Sequence, residues 1–140
     1  MSNYVIWFEK LGMDDVPVVG GKNASLGEMI SNLASAGISV PGGFATTAEA
    51  FRDFLSHNDL DSKINGLLQD FDVEDVDSLE KVGAQIRESV MQTPFPAALE
   101  QSVREAYSAL QDGGDISVAV RSSATAEDLT ATDMLSLIHI

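Results

Sequence analysis

The sequence predicts a mixed α and β chain, helix-rich with a few short strands. Three observations point there. Apolar residues recur at helical spacing through most of the chain. Strict apolar/polar alternation is confined to brief stretches. Hydrophobic residues make up 44% of 140 positions, enough for the core of one domain.

The elements follow in order. Tyr4 to Phe8 is a short apolar run suited to an edge strand, and a turn-rich stretch follows it as far as Gly20-Gly21. Leu26, Met29, Ile30 and Leu33 then predict a helix, with Gly37 as its stop. Asn23 or Ser25 can cap its start, and Ser25 with Glu28 has capping-box spacing. Val40-Pro41-Gly42-Gly43 must be a loop, and Phe44 to Thr46 a brief strand. Thr46 and Glu49 repeat the capping-box spacing before a helix carrying Ala50, Phe51, Phe54 and Leu55. A second stripe is Leu60, Ile64, Leu67, Leu68 and Phe71, and a third is Leu79, Val82, Ile86 and Val90, stopped by Thr93-Pro94. A last helix starts near Pro96 and turns Leu99, Val103, Ala106 and Leu110 inward. After the turn Asp112-Gly113-Gly114-Asp115, Ile116, Val118 and Val120 alternate with Ser117, Ala119 and Arg121, which predicts a half-buried strand with Arg121 on its other face.

Composition removes several function classes. With no cysteine, neither a disulfide framework nor a thiolate metal site is available. His57 and His139 are far apart and fit no metal-binding spacing, and His57 reads as a surface residue. No basic-then-apolar leader and no membrane-length apolar run occurs, so a soluble cytoplasmic protein is expected, with no membrane partner. With 22 acids against 8 bases the formal charge is −14, which argues against nucleic-acid binding. Six of the 8 bases have an acid within two residues. The exceptions are Lys22 and Arg121, both set among small and hydroxyl residues.

Each of those two bases sits in a motif. In Gly20-Gly21-Lys22-Asn23-Ala24-Ser25-Leu26-Gly27-Glu28-Met29, glycines allow close backbone approach to an anion and the following helix start offers N–H groups. Lys22 adds a full charge, so phosphate or nucleotide recognition by Gly20, Gly21 and Lys22 is one reading. It is not a Walker A loop, because Val16 stands where the first glycine belongs and Asn23 follows the lysine. The other reading is a glycine turn with a solvated lysine. In Val118-Ala119-Val120-Arg121-Ser122-Ser123-Ala124-Thr125-Ala126-Glu127-Asp128, an arginine delivered into a hydroxyl-rich turn suits bidentate phosphate recognition by Arg121, Ser122 and Ser123. An arginine paired with Glu127 or Asp128 is the alternative. Those two acids could also be Mg²⁺ ligands, but adjacent loop acids are usually solvated. Trp7, Phe44, Phe51 and Phe54 read as core.

These segments together resemble the N-terminal domain of the phosphoenolpyruvate synthase and pyruvate phosphate dikinase family. The matching stretches are the Lys22 motif from Val19, Val40-Pro41-Gly42-Gly43-Phe44-Ala45-Thr46-Thr47, and the Arg121 motif. Leu11-Gly12-Met13 and Gly83-Ala84-Gln85-Ile86-Arg87 are closest in wording to the synthase branch. The resemblance implies the first lobe of an ATP-grasp-like domain, incomplete here, with ATP as ligand and Lys22 and Arg121 on its phosphates. It also implies a parent enzyme that moves the β-phosphoryl group of ATP to a histidine and then to pyruvate, giving phosphoenolpyruvate, AMP and phosphate with Mg²⁺.

The same resemblance says what to expect missing. The second lobe with its metal-binding acids, the phosphohistidine domain and the pyruvate-binding barrel have no counterpart in the sequence, and neither His57 nor His139 resembles the phosphorylated histidine. No catalytic residue is therefore assigned within the chain. The expected division is residues 1–128 as the family part and 129–140 as a tail unlike the family, from a truncated or frame-disrupted reading frame. The rival readings are a non-catalytic remnant, a regulatory or interaction module, and a dikinase acting on another acceptor.

Overall fold

A computed structural model describes residues 3–126. Strand β1 (Val5–Trp7) leads through two 3₁₀ turns, Phe8–Lys10 and Met13–Asp15, into a one-turn helix α1 (Val16–Val19). Helix α2 (Gly21–Ser35) follows, then strand β2 (Phe44–Thr46). Four helices complete the described chain: α3 (Ala48–His57), α4 (Leu60–Gln69), α5 (Val76–Gln92) and α6 (Ala97–Gln111). The helix-rich α+β class expected from periodicity is what forms.

β1 and β2 pair antiparallel with Val5 opposite Thr46, Ile6 opposite Ala45 and Trp7 opposite Phe44. Trp7 and Phe44 meet edge to face at 5.7 Å, a favoured aromatic geometry. Two apolar clusters lie around this ribbon. One joins α3 to α6 through Ala50, Phe54, Leu60, Ile64, Ile86 and Leu99. The other packs Leu11, Val19, Ala24 and Ala45 beneath α2. This second cluster holds the candidate site. Within it α2 lies so close to the incoming chain that a Cβ on Gly27 would sit 2.5 Å from the Leu11 carbonyl oxygen. Only glycine permits that approach, since the obstacle is backbone.

Helix ends follow their caps. Gly37, at φ 74°, donates to Ala34 O while Ile38 N–H reaches Leu33 O, the paired bonds of a Schellman stop. Thr47 caps α3: its Oγ1 accepts from Ala50 N at 3.2 Å and donates to Asn3 O at 2.8 Å. It is thus both cap and tie between α3 and the N-terminal strand. Thr47→Ala is expected to lower stability by about 1–2 kcal/mol, and Thr47→Ser to restore most of it. Parallel urea melts of the two variants and the parent check this.

Several sequence expectations shift. The cap of α3 is Thr47 rather than Thr46, and α2 starts at Gly21 with Gly20 as cap, so Asn23 and Ser25 lie inside the helix. Phe51, read as core, is 48% exposed, because α3 turns Ala50 and Phe54 inward instead. The turn-rich stretch before Gly20 holds α1 and the two 3₁₀ turns. The strand expected around Ile116, Val118 and Val120 does not form, and Val120 is 92% exposed. Alternation supplies β propensity, but a strand also needs a partner edge, and among the described residues the sheet is β1 and β2 alone. Arg121 accordingly extends from irregular backbone. His57 is exposed, as expected. Glu127, Asp128 and the 129–140 tail lie outside the described residues.

Candidate functional site

The two motifs singled out in the sequence meet. Gly21 N–H donates to Ala124 O at 3.0 Å, and Asn23 N–H donates to Ser123 Oγ at 3.4 Å, a contact across 100 residues of chain. The first turn of α2 is therefore held against the turn that follows Arg121.

Gly20 makes the junction possible. Its φ of 84° and ψ of 164° lie in a region open essentially to glycine alone. A Cβ there would overlap Ser123 Oγ and stand 2.9 Å from Ala124 O. Asn23 reinforces the bend, since its Nδ2 donates to Val19 O at 2.9 Å and ties the end of α1 to the start of α2. Asn23 was read from the sequence only as a possible cap. Its position directly after the lysine in a glycine-led helix start was the available signal.

One expectation changes in substance. A helix start following two glycines suggests N–H groups open to an anion. Here Gly20 N–H goes to Val16 O, Gly21 N–H to Ala124 O and Asn23 N–H to Ser123 Oγ. The Gly20 bond closes the end of α1 and the other two close the junction, so these three N–H groups are not open to an anion.

The side chains singled out in the sequence border the junction. Lys22 is exposed between Gly21 and Asn23, the two residues whose N–H groups make it. Arg121 and Ser122 are exposed just before Ser123. Chain geometry puts the Arg121 Cα no more than about 7 Å from that of Ser123, well within the reach of a guanidinium to the junction. All six residues expected at the site, Gly20, Gly21, Lys22, Arg121, Ser122 and Ser123, thus lie on or beside one junction. Among the described residues no group of three or more His, Asp or Glu comes together to hold a metal ion. Nor is any described helix long and apolar enough to cross a membrane.

With that geometry in place, the comparison with known proteins is decisive. Residues 16–135 match the family model described as the pyruvate phosphate dikinase, AMP/ATP-binding domain. The chain belongs to this family. Both motifs of the junction fall inside the matched range. The chain is 61% identical over 130 residues to the phosphoenolpyruvate synthase of Pseudomonas aeruginosa, covering 92% of this chain and 16% of that protein. It is 59% identical over 131 residues to the phosphoenolpyruvate synthase of Neisseria meningitidis, covering 91% and 16%. With that of Escherichia coli the identity is 55% over 129 residues, again covering 91% and 16%. The chain is a fragment-length match that spans 16% of each of these relatives. Within the AMP/ATP-binding domain family, the dikinase resemblance drawn from the three motifs is borne out.

Proposed function

We propose that this chain is the part of a phosphoenolpyruvate-forming dikinase that holds ATP by its phosphates. The observation that carries the reading is the junction itself, which brings the segments bearing Lys22 and Arg121 together across 100 residues of sequence. In a protein of formal charge −14, these two bases stand apart from acids in the sequence. A triphosphate placed against the junction meets an ammonium from one segment and a guanidinium from the other. Ser122 adds a hydroxyl donor, and the α2 dipole favours the same anion. Opposed positive groups align a phosphoryl chain and balance charge that builds up during transfer.

The whole-protein reaction in this proposal converts ATP, pyruvate and water to AMP, phosphoenolpyruvate and phosphate. This chain contributes nucleotide binding; pyruvate and the phosphoryl-accepting histidine belong to other parts of the enzyme. Mg²⁺ would arrive with the nucleotide and take ligands other than the described residues, none of which cluster as a metal site. The cytoplasm is the compartment this reading implies. The 140-residue chain alone is expected to bind ATP yet form no phosphoenolpyruvate from ATP and pyruvate, which a coupled assay for AMP and phosphoenolpyruvate checks.

Calorimetric titration with ATP tests the site. Binding should be present in the parent chain and lost in the Lys22→Ala/Arg121→Ala double variant, with the helical circular dichroism of both unchanged. Equal affinity in parent and double variant would overturn the assignment.

A further inference from the structure

Asn23 follows Val19 by four residues, so in an unbroken helix its N–H would donate to the Val19 carbonyl. Gly20, at φ 84° and ψ 164°, breaks that path between α1 and α2. The Asn23 N–H donates instead to Ser123 Oγ at 3.4 Å. The carbonyl of Val19, a residue only 4% exposed, is thereby deprived of its helical partner. A buried carbonyl left unpaired is costly. The Asn23 side chain supplies what is missing, since its Nδ2 donates to Val19 O at 2.9 Å. A carbonyl only accepts, so the nitrogen end of the amide is the end that faces it.

One residue therefore makes two bonds in two directions. Its side chain takes over the bond that a continuous helix would have made, and its backbone is released to hold the turn after Arg121. Without that side chain, Val19 O and Ser123 Oγ would compete for a single N–H. Bonding the first opens the junction, and bonding the second strands the Val19 carbonyl. Lys22 lies between Gly21 and Asn23, whose N–H groups both go to the 123–124 turn, so its Cα moves with them. Few side chains can replace the amide. Aspartate and leucine have nearly its shape but no donor, whereas a serine hydroxyl can reach the carbonyl four residues back.

We propose that Asn23 is a positioning residue of the phosphate site: by bonding Val19 O with its side chain, it frees its N–H for Ser123 and so holds Lys22 beside the segment that carries Arg121. This role rests on the phosphate assignment above and adds what keeps its two bases in register.

Calorimetric titration of the 140-residue chain with ATP tests the role. Asn23→Ala and Asn23→Leu, which lack the donor, should each weaken ATP binding by roughly five- to tenfold. Asn23→Ser should stay within about twofold of the parent, because its hydroxyl keeps the bond to Val19 O. In a Lys22→Ala background, Asn23→Ala should cost no more than about twofold, since the residue it positions is gone. Leucine is a better helix former than asparagine, so the leucine variant carries the comparison should the alanine variant lose its helical circular dichroism. Parent-like affinity in the donor-free variants, a loss in Asn23→Ser as large as theirs, or an equal loss with and without Lys22 would overturn the positioning role while leaving the phosphate site standing. Unchanged affinity on Lys22→Ala, or no ATP binding by the parent, would overturn the assignment of Lys22 and this role with it.

Discussion

Gly20→Ala is expected to open the junction and to lower both stability and ATP affinity. Two independent penalties act at this position. The backbone at φ 84° and ψ 164° costs a residue with a Cβ on the order of 1–3 kcal/mol. The new methyl would also collide with Ser123 Oγ and approach Ala124 O to 2.9 Å. The hydroxyl can rotate, but the carbonyl is backbone and moves only with its segment. A total of about 3 kcal/mol is therefore expected, with relief gained by pushing the 123–124 turn away from α2. That movement breaks the bonds from Gly21 N–H and Asn23 N–H, so faster amide exchange at these two positions should accompany the lower melting temperature. A variant that melts and exchanges like the parent would show that the junction tolerates a side chain and does not depend on glycine.

The second large effect concerns charge. Lys22→Ala and Arg121→Ala should each weaken ATP binding by about 1.5–3 kcal/mol, the range for hydrogen bonds to charged groups, or roughly ten- to a hundredfold. The proposed site sets both bases on one triphosphate, so the double variant is expected to deviate from additivity, and a double-mutant cycle measures that coupling. Arg121→Lys should recover only part of the loss, since an ammonium keeps the charge but not the planar fork that grips two oxygens. Both bases are exposed, so ATP affinity of the parent should fall as salt rises, and the double variant should lose most of that dependence. Independent, additive losses with no salt dependence would place the two bases on separate ligands.

The local determinants of fold were legible because they are short-range. Four apolar residues on one face of α2 and a glycine at position 37 define that helix and its stop without reference to the rest of the chain. The same holds for the stripe of α5 and its stop at Thr93-Pro94, and for α6 after Pro96. Errors of one residue at Thr46 and Thr47 arose because adjacent threonines offer the same hydroxyl, and Thr47 alone also reaches Asn3 O. Phe51 was misplaced for a related reason: periodicity gives the direction of a side chain on its helix, not the extent of the neighbour that would cover it. The missing strand at 116–120 is the clearest case, since the pattern of side chains was right for a strand while the ladder depended on an edge that the described fold does not supply.

By itself the sequence determined the helical frame, the two isolated bases and the glycines at Gly20 and Gly21, all of them written in residue type and near-neighbour spacing. The tertiary structure decided that Ser123 and Ala124 close on the first turn of α2, that the Gly21 and Asn23 N–H groups expected to face an anion are spent on this closure, and that Met13 is tied to Ser25 and Glu28 of α2. The physical reason is that hydrogen bonds and thioether contacts between distant residues have no local signature. They exist only once the packing of Leu11 against Gly27, and of α1 against α2, has set those backbones within reach of one another.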